Sequence, residues 1–253
     1  MNFDPNQIAQ ILTAAIRLSL PPIAICFTDK VPAGIINWTG RVPAGCRFWQ
    51  EAATEVFSTS PSDHDLCAIG TFTHNLETTE AHDADHRGAL RVFADLEYVR
   101  EQDIAAIPVL KSRPSHVLYG PLATMPLAPD VVPLFGKAGQ MPILSEASQQ
   151  VEGDLPPAMG RPACAIVPQA YNTGRAALSL GCCGARAYLD VLTDDVALWA
   201  IPGSKLELYV ERMAALAQAN AVLTTFHQVR RKDVEDGNSP TIKESLAAMA
   251  SRN

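Results

Sequence analysis

Residues 6–29 read NQIAQILTAAIRLSLPPIAICFTD, and their pattern changes abruptly at a pair of prolines. Before Pro21 and Pro22, apolar residues recur at helical spacing, which predicts a helix over residues 6–19. After the prolines, residues 23–27 form a short apolar run bounded by polar residues, as is typical of a buried strand. The segment therefore predicts a helix followed by a strand, an alternation that is common in α/β folds.

The same alternation continues along the chain. Strand patterns are found at residues 116–120, 130–135, 163–167, 176–180 and 196–200. Helical patterns are found at residues 89–99 and 139–150, at 204–227 with Ser204 and Glu207 as a capping box, and in a short stretch at 241–249. These patterns predict an α/β fold, a single domain over residues 1–253 with a mixed sheet flanked by helices. Its core is expected over about residues 6–227, with a polar tail at 233–253.

Composition narrows the classes of function. The 253 residues are 47% hydrophobic and carry a formal net charge of −7, which is typical of a globular protein and unfavourable for nucleic-acid binding. Neither a membrane span nor a signal-peptide pattern is recognisable, so we expect no membrane partner and a cytoplasmic location. In that compartment the six cysteines are not expected to form a disulfide framework.

The cysteines occupy different local settings. Cys46 stands at a predicted junction between a loop and a helix, and Cys182 and Cys183 stand in a turn flanked by Gly181 and Gly184. Because glycines let backbone N–H groups approach a bound anion or cluster sulfide, the two glycines are candidate cofactor-binding residues. The chain contains no CxxC pair, so the spacing of the cysteines alone is weak evidence for a metal.

Other cysteine and histidine residues have simpler interpretations. Cys26 lies inside an apolar strand pattern, which favours packing in the core. His64 could act as an extra ligand or a proton donor near Cys67, but a solvated turn residue is favoured. His82 and His86 are spaced i, i+4 among acidic residues, and we interpret them as a solvated helix face.

Seven short blocks follow one another along about residues 10–225. They are LPPIAI at 20–25, Cys46 with Ala52 and Ala53, Cys67 before Gly70, DVV at 130–132 with Gly136, Cys164-Ala165, LSLGCCGAR at 178–186, and IPG at 201–203. In their order these blocks resemble the DUF169 family of uncharacterised bacterial and archaeal proteins. The resemblance implies ligand positions at Cys46, Cys67, Cys164 and Cys182, and it implies no reaction. Cys183 lies outside the family pattern.

Four thiolates from separate loops suit a [4Fe–4S] cluster or a tetrahedral zinc ion. The iron–sulfur cluster is favoured, with zinc as the alternative, because the ligands lack the paired spacing of structural zinc sites. Three cysteine ligands would leave one iron open as a Lewis acid for a lyase-type reaction. Four would close the site and favour electron transfer or a structural role.

The predicted function is that of a cytoplasmic iron–sulfur protein, a redox or lyase-type enzyme acting on a small molecule. Arg186 is a candidate for holding an anionic group, because its guanidinium forms planar, forked hydrogen bonds, and Cys183 is a candidate catalytic thiol. Two alternatives stay open: a non-catalytic sensor or carrier, and a metal-free enzyme with Cys182 or Cys183 as nucleophile. The expected partners are a small-molecule substrate or a redox partner, and the terminal helices are candidate surfaces for a homo-oligomer.

Overall fold

The computed structural model describes residues 4–42, 45–159, 162–188 and 190–250. Within these ranges eight strands form one sheet: β1 Ile23–Thr28, β2 Ile36–Asn37, β3 Phe57–Thr59, β4 His116–Pro121, β5 Val131–Lys137, β6 Ala158–Met159, β7 Ala177–Ser179 and β8 Val196–Pro202. The α-helices in the same ranges are α1 Pro5–Ile16, α2 Phe48–Glu51, α3 Ala68–Thr73, α4 Glu80–Asp95, α5 Glu101–Ile104, α6 Met141–Glu152, α7 Ile166–Thr173, α8 Leu206–Glu235 and α9 Ile242–Ala250.

The sheet is mixed. Its strand order is β2-β3-β4-β1-β5-β8-β7-β6. The two outermost pairs, β2 with β3 and β6 with β7, are parallel, whereas the inner strands pair antiparallel. The predicted α/β fold with a mixed sheet and flanking helices is therefore confirmed, while the domain boundaries stay a prediction.

Both faces of the sheet are covered by helices, and successive side chains of β1 point to opposite faces. Ile23 and Ile25 point to one face, where they pack with residues of α2 and α7. Ala24 and Cys26 point to the other face, where they pack with α1, α6 and α8. Because both faces are buried, β1 reads as a continuous apolar run rather than an alternating one. We call these surfaces the α7 face and the α8 face.

The strand predicted over residues 163–167 is wrong. Residues 163–165 form a 3₁₀ turn that leads directly into α7. A short apolar run does not distinguish a buried strand from a buried helix, and here the segment packs as a helix on the sheet. Pro168 fits because it lies in the first turn of α7, where a backbone N–H has no partner within the helix.

The last long helix differs from its prediction at both ends. A 3₁₀ turn, Gly203–Lys205, precedes α8, so Ser204 is not the N-cap and the predicted capping box is wrong. The helix also continues to Glu235, well past residue 227. The short helix predicted at 241–249 is confirmed as α9. None of the helices in the described ranges is both long and apolar enough to cross a membrane.

Candidate metal centre

The four cysteines predicted as ligands lie together on the α7 face. Each one stands at or just before a short helical turn: Cys46 in the 3₁₀ turn Gly45–Arg47, Cys67 as the N-cap of α3, Cys164 in the 3₁₀ turn before α7, and Cys182 before the π-helical turn Gly184–Tyr188. All four belong to the hydrophobic cluster of that face or pack against it. Cys26 lies across the sheet on the α8 face, in agreement with its interpretation as a core residue.

The thiols of this group influence one another electrostatically. Burial raises the pKa of the Cys46 thiol well above its usual range, and the nearby thiols of Cys164, Cys67 and Cys182 raise it further. Burial also raises the pKa values of Cys67 and Cys164. Because the thiolate is the form that binds metals, metal binding at these thiols would release their protons.

Hydrogen-bond donors already point at two of the sulfur atoms. The backbone N–H of Gly70 donates to Cys67 Sγ over 3.2 Å, and the N–H of Ala185 donates to Cys182 Sγ over 3.4 Å. Such bonds stabilise a thiolate and are among the means by which proteins tune cluster sulfurs. The residues around the cysteines are therefore compatible with a metal-bound thiolate state.

The glycines near the site have different reasons to be glycine. A Cβ at Gly70 would lie 2.7 Å from Cys67 Sγ, so this close approach excludes a side chain. Gly181 has a φ of +85°, which L-residues rarely adopt. A Cβ at Gly184 would meet Cys182 Sγ only at 3.9 Å, an ordinary contact. Gly181 thus shapes the loop that carries Cys182, and the predicted cofactor-binding role of Gly181 and Gly184 stays a prediction.

The Arg186 side chain forms hydrogen bonds with backbone carbonyls on either side of its own turn. Its guanidinium donates to the carbonyl of Leu180 over 2.6 Å, to that of Val196 over 3.1 Å, and to the carbonyl of Thr193. These bonds tie the loop around Cys182 to the start of β8. The geometry gives Arg186 a structural task, and its role in holding an anionic group stays a prediction.

A cavity of about 510 Å³ adjoins the four cysteines. Sulfur-bearing residues in its wall are Cys46, Cys67, Cys164, Cys182 and Cys183. Cys183 is exposed, whereas its neighbour Cys182 is half-buried. Helices α4 and α5 supply much of the remaining wall. We call this space the cysteine cavity.

His64 and His74 are both buried. The prediction of a solvated turn for His64 is wrong, because its exposed fraction is 2%, and that of His74 is 4%. The His64 ring packs against Phe48, with ring centroids 4.9 Å apart. Long-range packing of aromatic residues from other segments encloses both rings, and a local sequence window holds no sign of those residues.

The tautomer of His64 follows from its neighbours. Thr59 Oγ1 donates its single proton to the carbonyl of Val117 over 3.0 Å, so it accepts from His64 Nε2–H, also over 3.0 Å. His64 Nδ1 therefore carries a lone pair, and this buried atom has no hydrogen-bond partner among the described residues. Burial lowers the pKa of His64 to about 3.

The same reasoning applies to His74. Its Nδ1 lies 3.0 Å from the carbonyl of Gly70, which can only accept, so Nδ1 carries the proton. The Nε2 lone pair is buried without a partner among the described residues. Burial lowers the pKa of His74 to about 4. Both rings are thus neutral, and the ring centroids are 6.5 Å apart.

The interpretation of His82 and His86 as a solvated face is wrong for His86. Its ring stacks on Phe72 with centroids 4.0 Å apart, and it is buried. His82 is partly exposed, with Nε2 3.7 Å from Asp65 Oδ1. The stacking of His86 on Phe72 packs α4 against α3. Of the two histidines spaced i, i+4, His86 takes part in this packing and His82 faces Asp65.

Acid should destabilise the protein through His64 and His74. Between pH 6.5 and pH 4 the unfolded chain binds protons that folded His64 and His74 do not, so the free energy of unfolding falls as the pH falls. Each histidine contributes at most about 1.4 kcal/mol per pH unit, and the contribution is constant above about pH 6.5. Urea unfolding of wild type and His64→Phe at several pH values measures the slope.

The matched control for that measurement is His227→Gln, which changes an exposed histidine. We expect His64→Phe to flatten the dependence between pH 4 and 6.5 and His227→Gln to leave it unchanged. Equal slopes for the two variants would show that His64 is not the buried neutral group.

The chain was compared with protein families, with curated proteins and with solved structures. The model of the family DUF169, described as uncharacterised ArCR, COG2043, matches residues 11–212. The chain therefore belongs to the DUF169 family, and the family resemblance predicted from its sequence blocks is confirmed. No curated protein and no solved structure matches the chain. The family description names no function.

Proposed function

We propose that Cys46, Cys67, Cys164 and Cys182 hold an iron–sulfur cluster of the [4Fe–4S] type, and that the protein uses it in a redox or lyase-type reaction on a small molecule. The observation that carries the proposal is the meeting of four thiols from four separate segments in the wall of one cavity. A cysteine that only packs in the core does not require other cysteines nearby, whereas a cluster requires several thiolates.

The spacing of the cysteines along the chain favours a cluster over a structural zinc ion, because no CxxC pair is present. Among the described residues, no three His, Cys, Asp or Glu side chains are arranged to hold a metal ion. Support for the cluster therefore comes from the shared cavity wall and from the cysteine-containing sequence blocks.

When bound, a cluster would supply electron transfer if all four irons carry thiolates, or Lewis-acid chemistry if one iron is open. The protein's own contribution is to hold the sulfurs and to keep water away. Gly70 and Ala185 N–H groups hold two of them. The buried aromatic rings of Phe48 and Trp49 pack beside Cys46 on the α7 face.

Anaerobic purification tests the proposal. We expect a brown protein with broad visible absorbance and about four iron and four sulfide per chain. One zinc ion per chain and no iron would show that the site binds zinc rather than a cluster. A colourless protein that also fails to take up iron and sulfide in anaerobic reconstitution would overturn the proposal.

A metal-free thiol enzyme is the second candidate, because Cys183 is exposed and lines the cysteine cavity. Alkylation with iodoacetamide, followed by mass spectrometry, separates the two. With a cluster in place, Cys183 should react while the four ligands stay protected until the iron is removed. A thiol enzyme predicts that Cys183 or Cys182 reacts much faster than an ordinary thiol, and that removing metal changes nothing.

A further inference from the structure

We infer that the cysteine cavity binds an uncharged, largely apolar small molecule and rejects anions. This inference rests on the proposed function, because it names the class of substrate that would reach the cluster. The predicted partner was a small molecule of unspecified charge, with Arg186 as an anion holder. The cavity walls point to a different class.

Apart from Asp85 and Asp103, the lining side chains of α4 and α5 are apolar. Leu90 and Phe93 come from α4, Ile104 from α5, and Ile107 and Val99 from the flanking turns. Removal of apolar ligand surface from water into such walls is favourable by about 25 cal/mol per Å². The volume of about 510 Å³ lies within the range of about 300–1,000 Å³ that is usual for small-molecule sites.

The charges around the cavity disfavour an anion. Among the described residues that line it there is no lysine, arginine or histidine, and the charged ones are Asp85 and Asp103. The carboxylate of Asp103 is held by Arg100, whose Nε and Nη2 donate to its two oxygens over 2.7 Å each. Asp85 adds negative charge at the wall.

Among the described lining residues, a phosphate, sulfonate or carboxylate would therefore find no cation to replace its hydration, and it would also face negative charge. Arg186, the predicted anion holder, donates to three backbone carbonyls and is not among the lining residues. Nucleotide-like and other acidic molecules are thus poor fits, whereas a neutral aromatic or aliphatic molecule matches the walls.

A pair of fluorescent probes tests the inference directly. N-phenyl-1-naphthylamine is neutral, and 1-anilinonaphthalene-8-sulfonate is the same skeleton with a sulfonate. Titrated into the anaerobically purified full chain, the neutral probe should bind saturably, and at least about tenfold more tightly than the sulfonate, a difference equal to about 1.4 kcal/mol. Equal affinities, or tighter binding of the sulfonate, would overturn the inference.

Two alanines of α4 give a matched pair of variants. Ala89 lines the cavity, whereas Ala84 is exposed on the same helix and does not line it. Ala89→Trp should fill the space and weaken binding of the neutral probe at least about fivefold, because overpacking leaves no room for it. Ala84→Trp should leave its affinity unchanged. If Ala89→Trp fails to fold, Leu90→Gln replaces it, since a polar wall should also weaken the neutral probe.

Unchanged binding in the cavity variants would place the probe elsewhere and overturn the inference. Iron is measured on the same preparations, so the two proposals can fail separately. Selective binding of the neutral probe to protein that takes up no iron would refute the cluster and retain the ligand class. An iron-loaded protein that binds both probes equally would retain the cluster and refute the ligand class.

Discussion

Anaerobically purified Cys164→Ser should retain less than about a tenth of the wild-type iron. Mutation of a residue that only supports a metal ligand typically lowers metal affinity about 10–100-fold, and loss of the ligand itself should cost at least as much. Cys164 is buried in the 3₁₀ turn that leads into α7. Serine is a poorer ligand for iron than a thiolate because its hydroxyl does not ionise at neutral pH. Iron and sulfide analysis of the folded variant checks the prediction.

The matched control is Cys26→Ser, the same change at a buried cysteine on the α8 face of the sheet. The Cys26 thiol points towards the carbonyl of Ala128 over 3.6 Å, a bond that serine can also make. We expect this variant to keep its iron. Equal iron loss in both variants would show general destabilisation rather than ligation, and full iron in Cys164→Ser would remove Cys164 from the ligand set.

Gly203→Ala should destabilise the fold by about 3 kcal/mol or more. A Cβ at this position would lie 1.7 Å from the carbonyl oxygen of Pro129, which belongs to the backbone and cannot rotate away. The N–H of Gly203 also donates to the carbonyl of Asp130 over 2.8 Å, so a shift of the turn would break this bond. Urea or thermal unfolding measures the loss.

Gly88→Ala is the control for this glycine prediction. Gly88 lies within α4, and an added Cβ there meets nothing within 4 Å. Alanine in an exposed helix should stabilise by up to about 1 kcal/mol relative to glycine. Opposite signs for the two variants would confirm that the close approach to Pro129 matters; a near-neutral Gly203→Ala would show that the turn can relax.

The strands of the sheet that are six or seven residues long were predictable. β1, β4, β5 and β8 all appear near their predicted positions, because each buries enough side chains to show its pattern locally. β2 and β6 have two residues each. Such short strands exist because a neighbouring strand offers its backbone groups, and that neighbour is not visible in a local window.

Part of the site was likewise predictable from the sequence and part was not. Ordered sequence blocks selected Cys46, Cys67, Cys164 and Cys182 and set Cys26 apart, and the structure brings the four into one cavity wall. The sequence missed the burial of His64 and His86, because the polar residues around them suggested solvent. The His64 ring packs with aromatic residues of α2 and β4, and the His86 ring stacks on Phe72 of α3.

By itself, the sequence determined the α/β class, the family and the set of cysteines worth testing, because periodicity and short ordered motifs are local properties. Only the tertiary structure decided that Cys26 lies on one face of the sheet and the four candidate ligands on the other. It also decided that Arg186 is bound to backbone carbonyls and that the cavity wall contains no cation among its described residues. These features depend on the strand order and on contacts between distant segments, which are set by packing energy over the whole chain.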